Sequence, residues 1–327
     1  MLSRVADCLY WMSRYLERAE HTARLLDVNL DQRLDQSPGS AGRRWDRLLW
    51  ALSLPSSAYG SSDAYTVTEA LACNMRITSS IASCIVAARE NARQVREQIN
   101  SEMWEQLNRL FLHVRHTSMD GLWQAGPHEF FQAVKEGAHL FQGLTDATMT
   151  HGEGWQFIQI GRCMERAGAT ATLLDAYADA VVEARREDEI EATTSLDAPG
   201  YLEWVGLLKS CTAFEAYCKV YTATIQPDRV VEFLLLNAEF PRSLRFTVST
   251  AQTALLAVSR SANGRGSGRA QRLAGRLRAS LDYAQVDEVV ADGLHGYLRS
   301  IGAECDEIHA ALYETYIGYP VEAALIS

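Results

Sequence analysis

Apolar positions recur along this chain at helical spacing almost throughout, and the alternation that marks a half-buried strand is nearly absent. The first pattern predicts a helix over about 2–31. Its stripe of Val5, Leu9, Met12, Leu16, Ala19, Ala23, Leu26 and Leu30 advances in steps of four and three, a seam for packing on a neighbouring helix. A loop is expected over Ser37–Gly42 and a short helix over about 44–52. A second loop, Ser56–Ser62, leads to Asp63 as a helix cap. Further helices are expected over about 64–100, 101–117, 128–149 and 153–187, with a loop from Asp120 to Pro127. The acidic, turn-rich stretch 187–200 reads as a linker. Helices resume over about 201–222. Pro227 and Pro241 sit where first-turn prolines belong, opening helices near 228–237 and 241–259. After a Gly-rich loop at 261–268, two last helices cover about 269–282 and 285–317.

The chain also repeats itself. Residues 14–27 read RYLERAEHTARLLD and residues 162–175 read RCMERAGATATLLD, with nine of fourteen positions identical. The seam recurs as Phe157, Ile160, Met164, Ala167, Ala171, Leu174 and Ala178. This pattern predicts an all-α helical bundle built from a duplicated helical unit. Its halves are approximately 1–150 and 151–327, related by a pseudo-twofold axis within one domain. The small pairs Ala19/Ala23 and Ala167/Ala171 would let two equivalent helices approach closely.

Charge enters through that repeat. Arg14, Glu17 and Arg18 flank the first seam, and Arg162, Glu165 and Arg166 flank the second. Two uses compete. Glu17 and Glu165 could pair across the axis with Arg166 and Arg18, fixing helix register. Alternatively, the surplus of arginine could line a cleft for a carboxylate or phosphate. Arg242, beside Pro241, is placed where the helix dipole disfavours a cation. It therefore calls for an acidic partner, with Glu239 nearest in sequence, or a bound anion. Asn74-Met-Arg76 is the candidate counterpart in the first half.

Composition narrows the classes. The 327 residues are 47% hydrophobic and 22% charged, a globular balance. With 41 acidic and 31 basic side chains the net charge is −10, which argues against a general nucleic-acid binder. Arginine outnumbers lysine 28 to 3. No stretch is long enough to span a bilayer, and the first residues do not read as a signal peptide, so a cytoplasmic location is expected. Seven widely spaced cysteines without C-x-x-C point to buried free thiols. His113-x-x-His116 and Asp306-x-x-His309 are metal-like spacings that lack the remaining ligands. No phosphate-binding Gly-rich motif or nucleophile elbow occurs, so no cofactor is expected on this chain itself.

The opening VADCLYWMSRYLERAEHTARLLD, the stretch AARENARQVREQINSEMWEQLN, the middle GWQFIQIGRCMERA and the late EFLLLNAEFPRSLRF together resemble the bacterial alpha-E proteins. The likeness runs from residue 1 to near the end. Genes of that family typically lie beside circularly permuted ATP-grasp proteins and transglutaminase-like proteases. The resemblance implies a role in ATP-dependent amide- or peptide-bond formation or peptide modification. ATP and magnesium would be held by the partner, and the substrate would be a peptide or amino acid. On the matching positions, Glu17 and Glu165 would orient substrate, while Arg14, Arg18, Arg162, Arg166, Arg76 and Arg242 would bind its anion. Two other readings stay open. One is a non-catalytic adaptor docking through Tyr313, Tyr316 and Tyr319. The other is a metal enzyme using His113, His116 or His309.

Overall fold

The computed structural model describes residues 1–32, 38–55, 63–188, 200–222, 224–261 and 268–318. The fold is all-α, with no strand among the described residues. Its helices are α1 (Ser3–Asp31), α2 (Pro38–Ala51), α3 (Ala64–Thr68), α4 (Ile81–Gln94), α5 (Ser101–His116), α6 (Met119–Ala125), α7 (Pro127–Thr148) and α8 (Glu153–Asp175). They continue with α9 (Ala178–Asp188), α10 (Tyr201–Ser210), α11 (Phe214–Tyr221), α12 (Pro227–Leu236), α13 (Leu244–Ser261), α14 (Arg269–Tyr283) and α15 (Val286–Leu312). Single π-turns follow α3 and α15.

The long seams form as expected. Leu9, Met12, Leu16, Ala19, Ala23 and Leu26 on α1 are buried, as are Phe157, Ile160, Met164, Ala167, Ala171 and Leu174 on α8. Neither helix has a solvent face along its middle. Glu17, Glu20, His21, Thr22 and Arg24 are buried too, because α1 packs on α4, α7, α8 and α10 together. Around α1, the helices α4, α5 and α7 close a ring of neighbours. Around α8, the helices α13, α14 and α15 close another, and α1 against α8 joins the two.

The two central helices meet closely at a glycine. A Cβ on Gly161 would stand 2.3 Å from both the Tyr10 carbonyl oxygen and Ser13 Oγ. Ala19, Ala23, Ala167 and Ala171, the expected small pairs, are buried as well.

Several boundaries differ from the sequence reading. The expected helix over 64–100 is broken: α3 ends in a π-turn, Asn74 turns the chain, and Ser80 caps α4 by accepting from the Ser83 N–H. The expected helix over 201–222 is interrupted at Cys211–Ala213, where Thr212 has φ 51°. α8 stops at Asp175 and α9 restarts at Ala178. Pro38 opens α2 inside the expected loop, and α6 occupies most of the expected 120–127 loop. Pro241 does not start a helix. Ser243 is the cap, its Oγ accepting from the Phe246 N–H at 3.1 Å, so Arg242 precedes α13. α15 bends at Gly293, whose φ is 111°. Asp63 caps α3 as expected. The loop at 56–62, most of the linker at 187–200, the glycine loop at 262–267 and Tyr319 lie outside the described residues. All seven cysteines are free thiols, five of them buried. No described helix is long and apolar enough to cross a membrane.

Candidate functional site

The repeated Glu-Arg elements cross-pair between α1 and α8. Glu165 receives Arg18 in a two-pronged grip, Nε to Oε1 at 2.5 Å and Nη2 to Oε2 at 3.0 Å, and Arg14 Nε reaches Oε2 at 2.8 Å. Glu17 receives Arg166 in the same way, at 2.6 and 3.0 Å. Gln142 on α7 donates to Glu17 at 3.2 Å, and Arg166 also reaches the Pro241 carbonyl. Both helices thus hold each other through complementary forks, the geometry in which arginine exceeds lysine.

The two clusters then diverge. Beside Glu17, the carboxylate of Glu20 accepts from Arg242 Nη2 at 2.6 Å and from Arg24, with His139 Nε2 at 3.4 Å. Arg242 also stands 3.6 Å from Glu17. Its acidic partners therefore lie on α1, 222 and 225 residues earlier, while the sequence neighbour Glu239 is exposed. This cluster is closed: Glu20 is 0% and Arg242 8% exposed.

Beside Glu165 the protein opens into a cleft of about 370 Å³ between α1, α8 and α15. α1 contributes Arg14, Arg18 and His21. α8 contributes Glu165, Gly168 and Thr172. α15 contributes Asp306 and His309, and Ser79 comes from the turn before α4. Arg14 Nη1 donates to the Tyr10 hydroxyl at 3.2 Å, and that hydroxyl lies 2.8 Å from His309 Nδ1. A tyrosine that accepts from Arg14 gives its own proton to Nδ1. A neutral His309 then carries its hydrogen on Nε2.

Electrostatics follow this wiring. Burial pushes Glu165 upward, but the hydrogen bonds and charges of Arg18 and Arg14 win and hold it below the usual carboxylate range. Glu17 is held down against the same burial by Arg166 and Arg242, and Glu20 further down by Arg242, His139 and Arg24. His21 is lowered to about 4, first by burial and then by the Arg242 charge. Its Nε2 is buried without a hydrogen-bond partner. Burial, then Arg14, lowers His309.

Not every site residue read from the sequence converges. Arg162 turns away from both glutamates, pairing with Gln159 and standing 3.7 Å from Asp146. Arg76 is exposed and lies off the cleft. The local geometry shows why. Asn74 accepts from the N–H two residues on, and Asn237 does the same; six residues after each, Ser80 and Ser243 cap α4 and α13. In that register Arg242 corresponds to Ser79, and Arg76 to Glu239. His113 and His116 are exposed, with His113 stacked on Phe130. The one described group with metal-ligand proximity is Asp27, Asp31 and His128, where Asp27 already binds His128 and Lys135.

Sequence reasoning missed His21, Ser79 and a second repeated pair. Asp27 meets His128 Nδ1 at 2.8 Å, and Asp175 meets His295 Nδ1 at 2.6 Å. Both aspartates end the repeated fourteen-residue motif, so half of that signal was present in it. The histidines lie more than a hundred residues away, with no local mark.

A family model described as "a predicted alpha-helical domain with a conserved ER motif" matches residues 1–317. The chain belongs to the Alpha-E family. The Glu-Arg dipeptide occurs in it twice, as Glu17-Arg18 and Glu165-Arg166, one on each of the crossed central helices. An uncharacterized protein of Mycobacterium bovis (strain ATCC BAA-935 / AF2122/97) is 26% identical over 336 residues, covering 94% of this chain and 35% of that protein. Uncharacterized proteins of Mycobacterium tuberculosis strains CDC 1551 and H37Rv match with the same identity and coverage. The chain thus spans about a third of the length of the curated relatives it matches. No solved structure matches it.

Proposed function

We propose that this chain is the substrate-binding helical component of an ATP-grasp-dependent system that forms or modifies amide bonds. The cleft beside Glu165 would receive the substrate carboxylate or its acyl phosphate. The observation that carries this reading is the pairing of an open polar cleft with two arginines already fixed in position. Among the described residues Arg14 Nη2 and Arg18 Nη1 make no hydrogen bond, while their other nitrogens are tied to Glu165 and Tyr10. Donors held this way stabilise an anion without reorganising when it arrives. Glu165 would be the orienting group. The Glu17 cluster, closed and paired throughout, would serve to lock α1 onto α8.

A partner ATP-grasp protein, suggested by the resemblance, would supply ATP, magnesium and the activating step. The parallel rings of helices around α1 and α8 support the reading of a duplicated unit in one domain. The adaptor reading draws on a different observation, since the forks of Arg18 and Arg166 are both spent on glutamates. Of its tyrosines, Tyr313 is 40% exposed, whereas the Tyr316 hydroxyl is bonded by Gln271.

Phosphate release by the ATP-grasp partner, measured on an amino-acid and peptide pool with and without this chain, separates the two. Turnover should require both proteins and fall at least tenfold in Arg14→Ala and Arg18→Ala variants that remain folded. Turnover indifferent to this chain would refute the proposal.

A further inference from the structure

The two Glu-Arg clusters can be laid on one another residue by residue, and the comparison shows what the open one is shaped to hold. Through the fourteen-residue repeat, Glu17, Glu20 and Arg24 correspond to Glu165, Gly168 and Thr172, each 148 positions on. Through the paired Asn turns and Ser caps, Arg242 corresponds to Ser79. Through the paired histidines on Asp27 and Asp175, α7 aligns with α15 at an offset of 167, so that His139 corresponds to Asp306 and Gln142 to His309.

In one cluster, then, the space next to the central glutamate is filled by the carboxylate of Glu20 and the guanidinium of Arg242, locked together at 2.6 Å. In the other, the matching positions are Gly168 and Ser79, and the same region is the cleft. A Cβ on Gly168 would meet no atom within 4 Å. The central glutamate and its arginine fork are kept, while Glu20, Arg24, Arg242, His139 and Gln142 are matched by Gly168, Thr172, Ser79, Asp306 and His309.

Resting on the reading that this cleft receives substrate, we propose that it binds one zwitterionic ligand, a free amino acid or a peptide end. Its two charged groups would occupy the space that the Glu20 and Arg242 side chains fill in the closed cluster. The walls suit both charges. Arg14 and Arg18 offer spare N–H groups to the carboxylate, and Ser79 also lines the cleft. Asp306, on the wall from α15, would meet the cation. Arg14 and Arg18 exceed their shared Glu165 by one positive charge, and Asp306 supplies one negative charge, so a ligand of a single charge would leave the other sign unmet. His21 adds an independent sign of a ligand: it lines the cleft and is 6% exposed, and its buried Nε2 has no hydrogen-bond partner among the described residues. The volume of about 370 Å³ suits an amino acid or a short peptide end.

The test is calorimetric titration of the full chain with each of the twenty L-amino acids and with trialanine, against acetate, phosphate and methylammonium as single-charge controls. At least one zwitterion should bind one-to-one and at least about tenfold more tightly than any control. The double variant Gly168→Glu, Ser79→Arg rebuilds the closed arrangement in the open cleft. It should lose that binding while its melting temperature holds or rises. The proposal fails if no zwitterion binds, if acetate or phosphate binds as tightly as the best of them, or if the refilled variant binds like the parent. Tight phosphate or acetate binding would overturn the zwitterion while leaving the anion site standing. Zwitterion binding with no effect on ligase turnover would do the reverse.

Discussion

Glu17 and Glu165 are sister residues with unequal consequences. Glu17 is 1% exposed and holds Arg166 while facing Arg242. Removing it leaves the Arg166 guanidinium without its carboxylate and Arg242 with Glu20 alone, and loss of one partner from a buried pair costs roughly 3–5 kcal/mol. Glu17→Ala is expected to lower stability by that order in urea unfolding. Glu165→Ala should cost less, since Arg18 has access to water at the cleft mouth, with 27% of its side chain exposed. Equal losses would contradict the contrast between a closed and an open cluster. His21 carries a pH signature of its own. Its folded value near 4 lies below the unfolded value of about 6.5, so the unfolded chain binds the proton first as pH falls. The stability from keeping it neutral is complete above about pH 6.5 and disappears by about pH 4, on the order of 3 kcal/mol. A His21→Gln variant should flatten the stability profile across that window.

At the scale of elements, the α1–α8 crossing is set by Gly161. Any side chain there strikes the Tyr10 carbonyl, which belongs to a helix backbone and cannot swing aside. Overpacking of a tight core contact costs typically 1–3 kcal/mol. Gly161→Ala is expected to lose at least that much, and because the crossing aligns both Glu-Arg pairs, binding at the cleft should weaken as well. Gly168→Ala, on the same helix, meets no atom within 4 Å and should leave stability within about 0.5 kcal/mol, or raise it slightly through helix propensity. Comparing the two melting temperatures checks both statements. α15 has its own requirement. Gly293 sits at φ 111°, where an L side chain is strained, and the bend it permits separates the first turns of the helix from the part that bears His295 and lines the cleft.

For the whole molecule, three buried glutamates sit at the joint between the two rings of helices, all with lowered pKa. Such groups contribute stability that is present above their unfolded pKa, near 4.5, and lost as pH falls through their folded values. Acid unfolding should therefore steepen below about pH 4.5, beyond the gentler decline that His21 produces above it. Thermal melts from pH 8 to 3 would show this as two regimes. A single flat profile down to pH 3 would contradict the buried network.

What the sequence determined by itself is the local and the periodic. The α1 and α8 seams, the Asp63 cap, Pro227 at a helix start, the unpaired cysteines and the repeated Glu-Arg element follow from spacing and backbone preference, which act over a few residues. Cross-pairing of Glu17 with Arg166 and Glu165 with Arg18 was also legible, as one of two readings, because buried arginines need acids and the repeat supplied one on each helix. The tertiary structure decided what depends on distant chain meeting. It assigned Arg242 to Glu20 rather than to Glu239, and turned Arg162 and Arg76 away from the glutamates. It brought His128 to Asp27 and His295 to Asp175, and set Gly161 against the Tyr10 carbonyl. It also opened one cluster while closing its counterpart. The Gly168–Glu20 difference was visible in the repeat, yet its meaning was not. A missing side chain becomes a cleft only when the helices around it are fixed too far apart to close over the space.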